Sequence, residues 1–305
     1  MGMKGFKGFE KDFSCKGKQY EENTTYEEHG VGCCHKGVMH FCEDPWEVLN
    51  HYDLVDDNGN FSEFAEVEAL GQVWNDGEKR ATNKIHIGAK LGLKGFLKAC
   101  IDFTLEKTKY ESNGTNLSGD YAQIGSSGNS AKIGSSGNYA KIGSSGYSAQ
   151  IGSSGNSAQI GSSGNSAQIG SSGYSAKIGS SGNSAKIGSS GYSAKIGSSG
   201  DSAQIGSSGD SAQIGSSGYS AQIGSSGDFA QINSTGEDAV IMCAGSRSKA
   251  KGKKGSWITL AEWVKDEEKG RYVPICVKTE RVDGEKIKED TYYTLKNGEF
   301  SEVEE

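Results

Sequence analysis

Cys33, Cys34, His35, His40 and Cys42 form the one cluster of metal-ligating residue types in the sequence. Thiolate and imidazole would suit zinc, whose structural sites pair ligands two to four residues apart and add a second pair farther along. Adjacent Cys33 and Cys34 are a poor chelating step, and His40 and Cys42 would share one strand face. Cys33, His35, His40 and Cys42 are therefore candidate ligands without a spacing that defines a site, and no metal is expected. His29 and His86 have no partner by spacing. No Ser-His-Asp or Cys-His arrangement sits in a motif context, and Gly88-Ala89-Lys90-Leu91-Gly92 is not a phosphate-binding loop. Glu66 and Glu68 fall on one face of a strand, where carboxylates are ordinarily solvated. Tyr147, Tyr174, Tyr192 and Tyr219 are irregularly spaced aromatic residues suited to corner packing or to an interaction surface.

The elements that would position these residues fall into segments of different texture. Residues 1–110 have mixed composition, hold all five histidines and read as an α+β head. Asp44-Pro45-Trp46-Glu47 is a capping box with proline at the first helical position, opening a short helix through about Tyr52. Phe64 to Val73 alternates as a strand. Leu93, Phe96, Leu97, Cys100, Ile101, Thr104 and Leu105 mark one face of a second helix ending near Lys107.

From Asp120 to Gly245 the chain is a nonapeptide repeat, 14 units of the form Asn129-Ser130-Ala131-Lys132-Ile133-Gly134-Ser135-Ser136-Gly137. Ala and Ile alternate with Ser and Gln or Lys, the period of a strand with one buried face. Gly-Ser-Ser-Gly supplies a turn in which glycine accepts positive φ. A single unit cannot bury its Ala and Ile, so the units must stack into a mainly-β solenoid. Two units per coil give about seven coils and a rod roughly 34 Å long. Ala131, Ala140 and Ala149 would form one buried ladder, and Ile133, Ile142 and Ile151 another. The turn differs from the Gly-Gly-x-Gly-x-Asp of calcium-binding rolls, regular threonine arrays for ice binding are missing, and Gln and Lys interrupt any acidic ladder.

Residues 246–255 are basic and read as a solvated linker. Residues 256–305 read as a β-meander cap, with strands from Trp257 to Val264, Tyr272 to Val282 and Tyr292 to Leu295. Asp283-Gly284 and Asn297-Gly298 provide hairpin turns. Trp257 and Trp263 are assigned to the cap's core.

Lys4-Gly5-Phe6-Lys7-Gly8-Phe9, Cys15, Tyr20 and Lys36-Gly37-Val38-Met39-His40-Phe41-Cys42-Glu43-Asp44-Pro45 resemble an uncharacterised domain of bacteriophage and prophage proteins. In that family the domain is often followed by this repeat and by a continuation like Trp257-Ile258-Thr259-Leu260-Ala261-Glu262-Trp263. The resemblance implies a phage-associated origin and no activity. At the level of fold, Lys7-Gly8, Gly37-Val38-Met39-His40-Phe41, the helix to Tyr52, and Glu66-Val67-Glu68-Ala69-Leu70-Gly71 are similar in order to ADP-ribosyltransferases. That similarity implies an NAD-binding head with Lys7, His40 and Tyr52 as the positions to test. Lys7 stands where that family has its histidine, and Met39 or His40 where it has its tyrosine.

The net charge of −7, from 32 basic and 39 acidic residues, gives no global field for nucleic acid. No run of about 18 apolar residues suggests a membrane span. The start of the sequence lacks a signal-peptide core, and Phe6 stands where a myristoylation signal wants Ser or Thr. Seven irregularly spaced cysteines read as reduced thiols in the cytoplasm of a bacterial host. With about 40% of the chain in a repeat without catalytic groups, the expected function is a non-enzymatic scaffold presenting a head to a protein partner. The alternatives are an NAD-using transferase head on a stem and an assembly component whose stems associate into homo-oligomers.

Overall fold

Each of the first twelve repeat units folds its Gln or Lys, Ile, Gly and Ser into a four-residue strand, as in Gln150–Ser153 and Gln159–Ser162, and the last two do the same with Gln231–Ser234 and Val240–Cys243. The computed structural model describes residues 2–303 except Cys34, Asn58, 109–113 and 118. Successive units alternate between two ten-stranded sheets, and partners within a sheet are parallel and one coil apart, Ile133 opposite Ile151 and Ile142 opposite Ile160. Two units therefore make one coil. The solenoid has about eight turns and runs from 123 to 260, beyond the last regular repeat.

Alternation of the strand points Ile and the following Ser inward, and Gln or Lys and Gly outward. The isoleucines from Ile133 to Ile223 are at most 4% exposed and the alanines preceding them are fully buried. Each buried isoleucine contributes roughly 1.5–3 kcal/mol. The corner departs from the expected glycine turn. The left-handed residue is the second of the unit, Ser130, Tyr139, Ser148 and their equivalents, at φ 54–60°. The last glycine of the unit serves close stacking instead: a Cβ on Gly155 would collide with the carbonyl of Gly137 one coil below. The first residue of the unit ties the corners together. Asn138 accepts the backbone N–H of Asn156 (2.9 Å), and Asp201 accepts that of Tyr219 (3.0 Å).

In the head, the strands are β1 (Met3–Phe9), β2 (Ser14–Cys15), β3 (Lys18–Gln19), β4 (Thr24–Glu27) and β5 (Met39–Phe41), then β6 (Glu63–Ala69), β7 (Val73–Asp76), β8 (Lys79–Thr82) and β9 (Lys84–Lys90). Helices are α1 (Pro45–Val48) and α2 (Gly92–Thr108). The main antiparallel sheet has the order β1-β6-β9-β4, beside a small sheet β5-β8-β7. One core holds Phe9, Phe41, Val67 and Ile87. On the other side Phe64 stacks on Phe96 of α2, ring centroids 3.8 Å apart. Helix α1 is shorter than expected: Asp44 caps Trp46 N–H at 2.9 Å, but Glu47 turns outward to Lys141 rather than closing a capping box.

The carboxyl-terminal quarter differs from expectation in three ways. Residues 246–255 do not form a linker, because Lys249–Lys251 is a strand paired with Gln231–Asn233, and Lys249 and Lys251 lie over the Tyr292 ring. The cap is two separate hairpins rather than one meander. Trp257–Asp266 with Arg271–Arg281 extends one sheet, and Tyr292–Lys296 with Glu299–Val303 extends the other. Asn297 and Gly298, both at positive φ, make the second turn as expected. Asp283 instead caps the N–H groups of Glu285, Lys286 and Ile287 in the crossover between sheets. Finally, Trp257 is not core: it is 48% exposed, because its register with Val240 places it on the outer face of its sheet. Trp263 is half-buried and donates its Nε1–H to Ala244 O (2.9 Å). No helix among the described residues is long and apolar enough to cross a membrane.

Candidate functional site

Two places combine exposure with recognisable chemistry, a cavity in the head and the outer faces of the stem. The head cavity, about 790 Å³, is lined by Lys7, His40 and Tyr52, the three positions singled out in the head. Lys7 rises from β1 beneath the rings of Phe9 and Tyr20 (5.5 and 5.4 Å) and donates to His40 O at 3.1 Å and Cys15 Sγ at 3.4 Å. Tyr52 O–H donates to the same sulfur at 2.9 Å. Gly8 makes this approach feasible, since a Cβ there would lie 2.7 Å from Tyr52 Cβ.

Burial lowers the Lys7 pKa, with Cys15 opposing the shift. Burial likewise raises Tyr52 and Tyr20 above the ordinary phenol value. His40 is lowered by burial, against the Cys33 carbonyl that holds its Nε2 at 2.7 Å. Lys16, Lys18, Lys36 and Lys79 line the opening, with Glu28 as the acidic residue among the lining groups. The electrostatics suit an anion. Cys15, the hub of this cluster, entered the sequence reading only as part of the family resemblance and without a role, because nothing in its spacing shows that β2 returns it to Lys7.

The candidate metal ligands go to different places. Cys33 Sγ rests on Asn75 O (2.8 Å), and Cys42 is buried beside Trp46 with its thiol pushed up to about 12. His35 lines the cavity mouth, His40 is committed to Cys33 O, and Cys34 lies outside the described residues. Among the described residues no three His, Cys, Asp or Glu side chains converge.

On the stem, the head lies along one sheet rather than at its end. The outward glycines of that sheet form its floor. A Cβ on Gly161 would sit 3.1 Å from Trp46, on Gly179 2.5 Å from Leu97, and on Gly215 3.0 Å from Phe61. Beside this floor runs a row of Lys and Gln that meets the head's carboxylates. Lys141 pairs with Asp44 and Glu47, Lys177 with Asp53, and Lys195 with Asp53 (2.6 Å) and Asp57 (2.9 Å). Gln159 donates to Asn50 Oδ1 at 3.1 Å. Burial alone would lower Lys141, but the two carboxylates outweigh it and raise its pKa.

The opposite sheet has the same construction, and no described residue covers its outward glycines from Gly152 to Gly224. Its outward glycines, Gly152, Gly170, Gly188, Gly206 and Gly224, have no atom within 4 Å of an added Cβ. They floor a groove of about 1010 Å³, flanked by the row Lys132, Gln150, Gln168, Lys186, Gln204 and Gln222 and ending at Val240 and Met242. The tyrosines do not make one surface. Tyr174 and Tyr192 stack at 5.1 Å on one corner, while Tyr147 and Tyr219 sit four coils apart on the other.

Residues 3–99 match a family model described as a domain of unknown function, DUF7666. No curated protein and no solved structure matches the chain. The chain is thus a β-solenoid protein with a head of that domain type.

Proposed function

We propose that this protein is a non-enzymatic scaffold, a phage- or prophage-encoded accessory protein of the bacterial cytoplasm that binds a protein partner. The observation that carries this reading is the pair of stem faces. One glycine floor with its lysine row is the seat of the head, and the other is uncovered by any described residue from Gly152 to Gly224. The head then serves as a fixed flank of the rod, and the open face is where a partner docks. Gly188→Leu tests it, because a side chain there projects into open space. Crosslinked complexes captured from bacterial lysate by the wild-type chain should lose specific components with this variant. Identical complexes from both chains would contradict docking on this face.

A second reading is supported by the head cavity. Lys7, His40 and Tyr52 meet in one pocket ringed by lysines, an arrangement suited to the pyrophosphate of NAD and hence to a transferase. Calorimetric titration of the full chain with NAD, with nicotinamide followed in the same sample, checks it. Saturable heat lost in Lys7→Ala, with nicotinamide release, would favour the enzyme. No heat would remove it.

A further inference from the structure

We propose that the open face of the stem binds an amphipathic α-helix of a partner protein, apolar along its middle and acidic along one flank. The proposal deepens the scaffold reading and rests on it. Its warrant is a match in spacing between the two faces. On the covered face, Lys141 and Lys195 are separated by three coil steps through Gln159 and Lys177. They hold the two ends of an acidic-apolar segment, Asp44 and Glu47 at one lysine and Asp53 and Asp57 at the other. On the open face, Lys132 and Lys186 are likewise separated by three coil steps, through Gln150 and Gln168. Three steps are about 14 Å at the inter-strand spacing. Both lysines are exposed, and among the described residues no acidic side chain lines the groove between them.

The floor specifies the rest. Outward glycine in a strand marks close approach of another backbone, and on the covered face that backbone is α2, whose Leu97 and Ile101 lie against Gly143, Gly161 and Gly179. The row from Gly134 to Gly224 is five coil steps, about 24 Å, the length of roughly 16 helical residues. Carboxylates about ten residues apart on such a helix would reach Lys132 and Lys186. At the carboxyl-terminal end the groove meets exposed Val240, Met242, Trp257 and Val277, on one outer face by register. A large apolar side chain at the helix end would anchor there. A second copy of this chain seated through the same face would bring lysines without carboxylates to meet them.

The test uses the full-length protein and two fluorescent synthetic helices as long as α2. Both carry one Leu stripe, one flanked by Glu and the other by Lys. Anisotropy should show the Glu helix binding and the Lys helix at least tenfold weaker. Gly188→Leu and the pair Lys132→Glu with Lys186→Glu should each weaken the Glu helix at least tenfold. Lys94→Glu, at an exposed position of α2 on the covered side of the stem, should leave it unchanged. Equal binding of both helices, or indifference to Gly188→Leu, would overturn the proposal, as would light scattering that shows a dimer abolished by Gly188→Leu. If lysate complexes depend on Gly188 while neither helix binds, the acidic-helix inference fails and the scaffold reading survives. If no complex depends on Gly188, the scaffold reading itself fails.

Discussion

Lys7 and the inward serines are the residues whose placement runs against ordinary solvation. Burial keeps the Lys7 ammonium below the ordinary value of 10.5, so the native state binds fewer protons than the unfolded chain just below that pH. Stability from this group therefore rises as pH increases toward 10.5. Relative to Lys7→Met, the wild type should gain stability between neutral pH and pH 10 in denaturant titrations; a constant difference would place the amine in solvent. Ser180 is fully buried, and its hydroxyl has no partner among the described residues. Ser180→Ala should be neutral or stabilise by about 1 kcal/mol, read as a higher denaturation midpoint; a clear loss would reveal a bonded hydroxyl. The inward Ala and Ile ladders were legible because period two forces them. The left-handed Ser at the corner was not, since serine is unremarkable there and the glycines drew the assignment.

At the scale of elements, α2 and the segment after α1 are held between the head sheet and the stem. Gly179→Leu would drive a side chain into Leu97, at a cost of about 1–3 kcal/mol from overpacking. Its counterpart Gly188→Leu on the open sheet should shift stability by less than about 0.5 kcal/mol. Thermal denaturation of the two variants separates them, and equal losses would mean that the head is not seated on this sheet. Both head helices were legible from capping and from period 3.6. The seam was not, because Lys141 and Lys195 meet carboxylates 94 and 142 residues away. In sequence, the choice between Lys and Gln in each unit looks like variation on a solvated face. The basic run at 247–254 misled for a related reason: its cations cover Tyr292, Phe229 and Tyr272, contacts that composition does not reveal.

For the whole molecule, the two-unit coil makes parity matter. Deleting one nine-residue unit moves every later strand to the opposite sheet, so Lys195 would leave the head's carboxylates and the open row would turn beneath the head. Deleting two adjacent units keeps every strand on its own sheet. The one-unit deletion within 138–218 should therefore lose far more protection of the head in limited proteolysis than the two-unit deletion. Equal protection would contradict a head read by the stem's register. The repeat and its two-unit coil were legible in the sequence; Lys7, His40 and Tyr52 were named only through a resemblance, and it is the fold that brings them to one cavity. Which stem face the head covers was not, because the two faces have nearly the same residues and only the fold assigns the head to one.

The most direct measurement is peptide-resolved maleimide labelling of Gln150→Cys and Gln159→Cys in the full chain, free and with the acidic helix. Position 150 is exposed on the open face, and Gln159 is 5% exposed beneath the head. The expected result is fast labelling at 150 that the helix suppresses, with slow labelling at 159 in both conditions. Equal rates at the two positions in the free protein, or no suppression at 150, would contradict a stem with one face filled and the other kept for a partner.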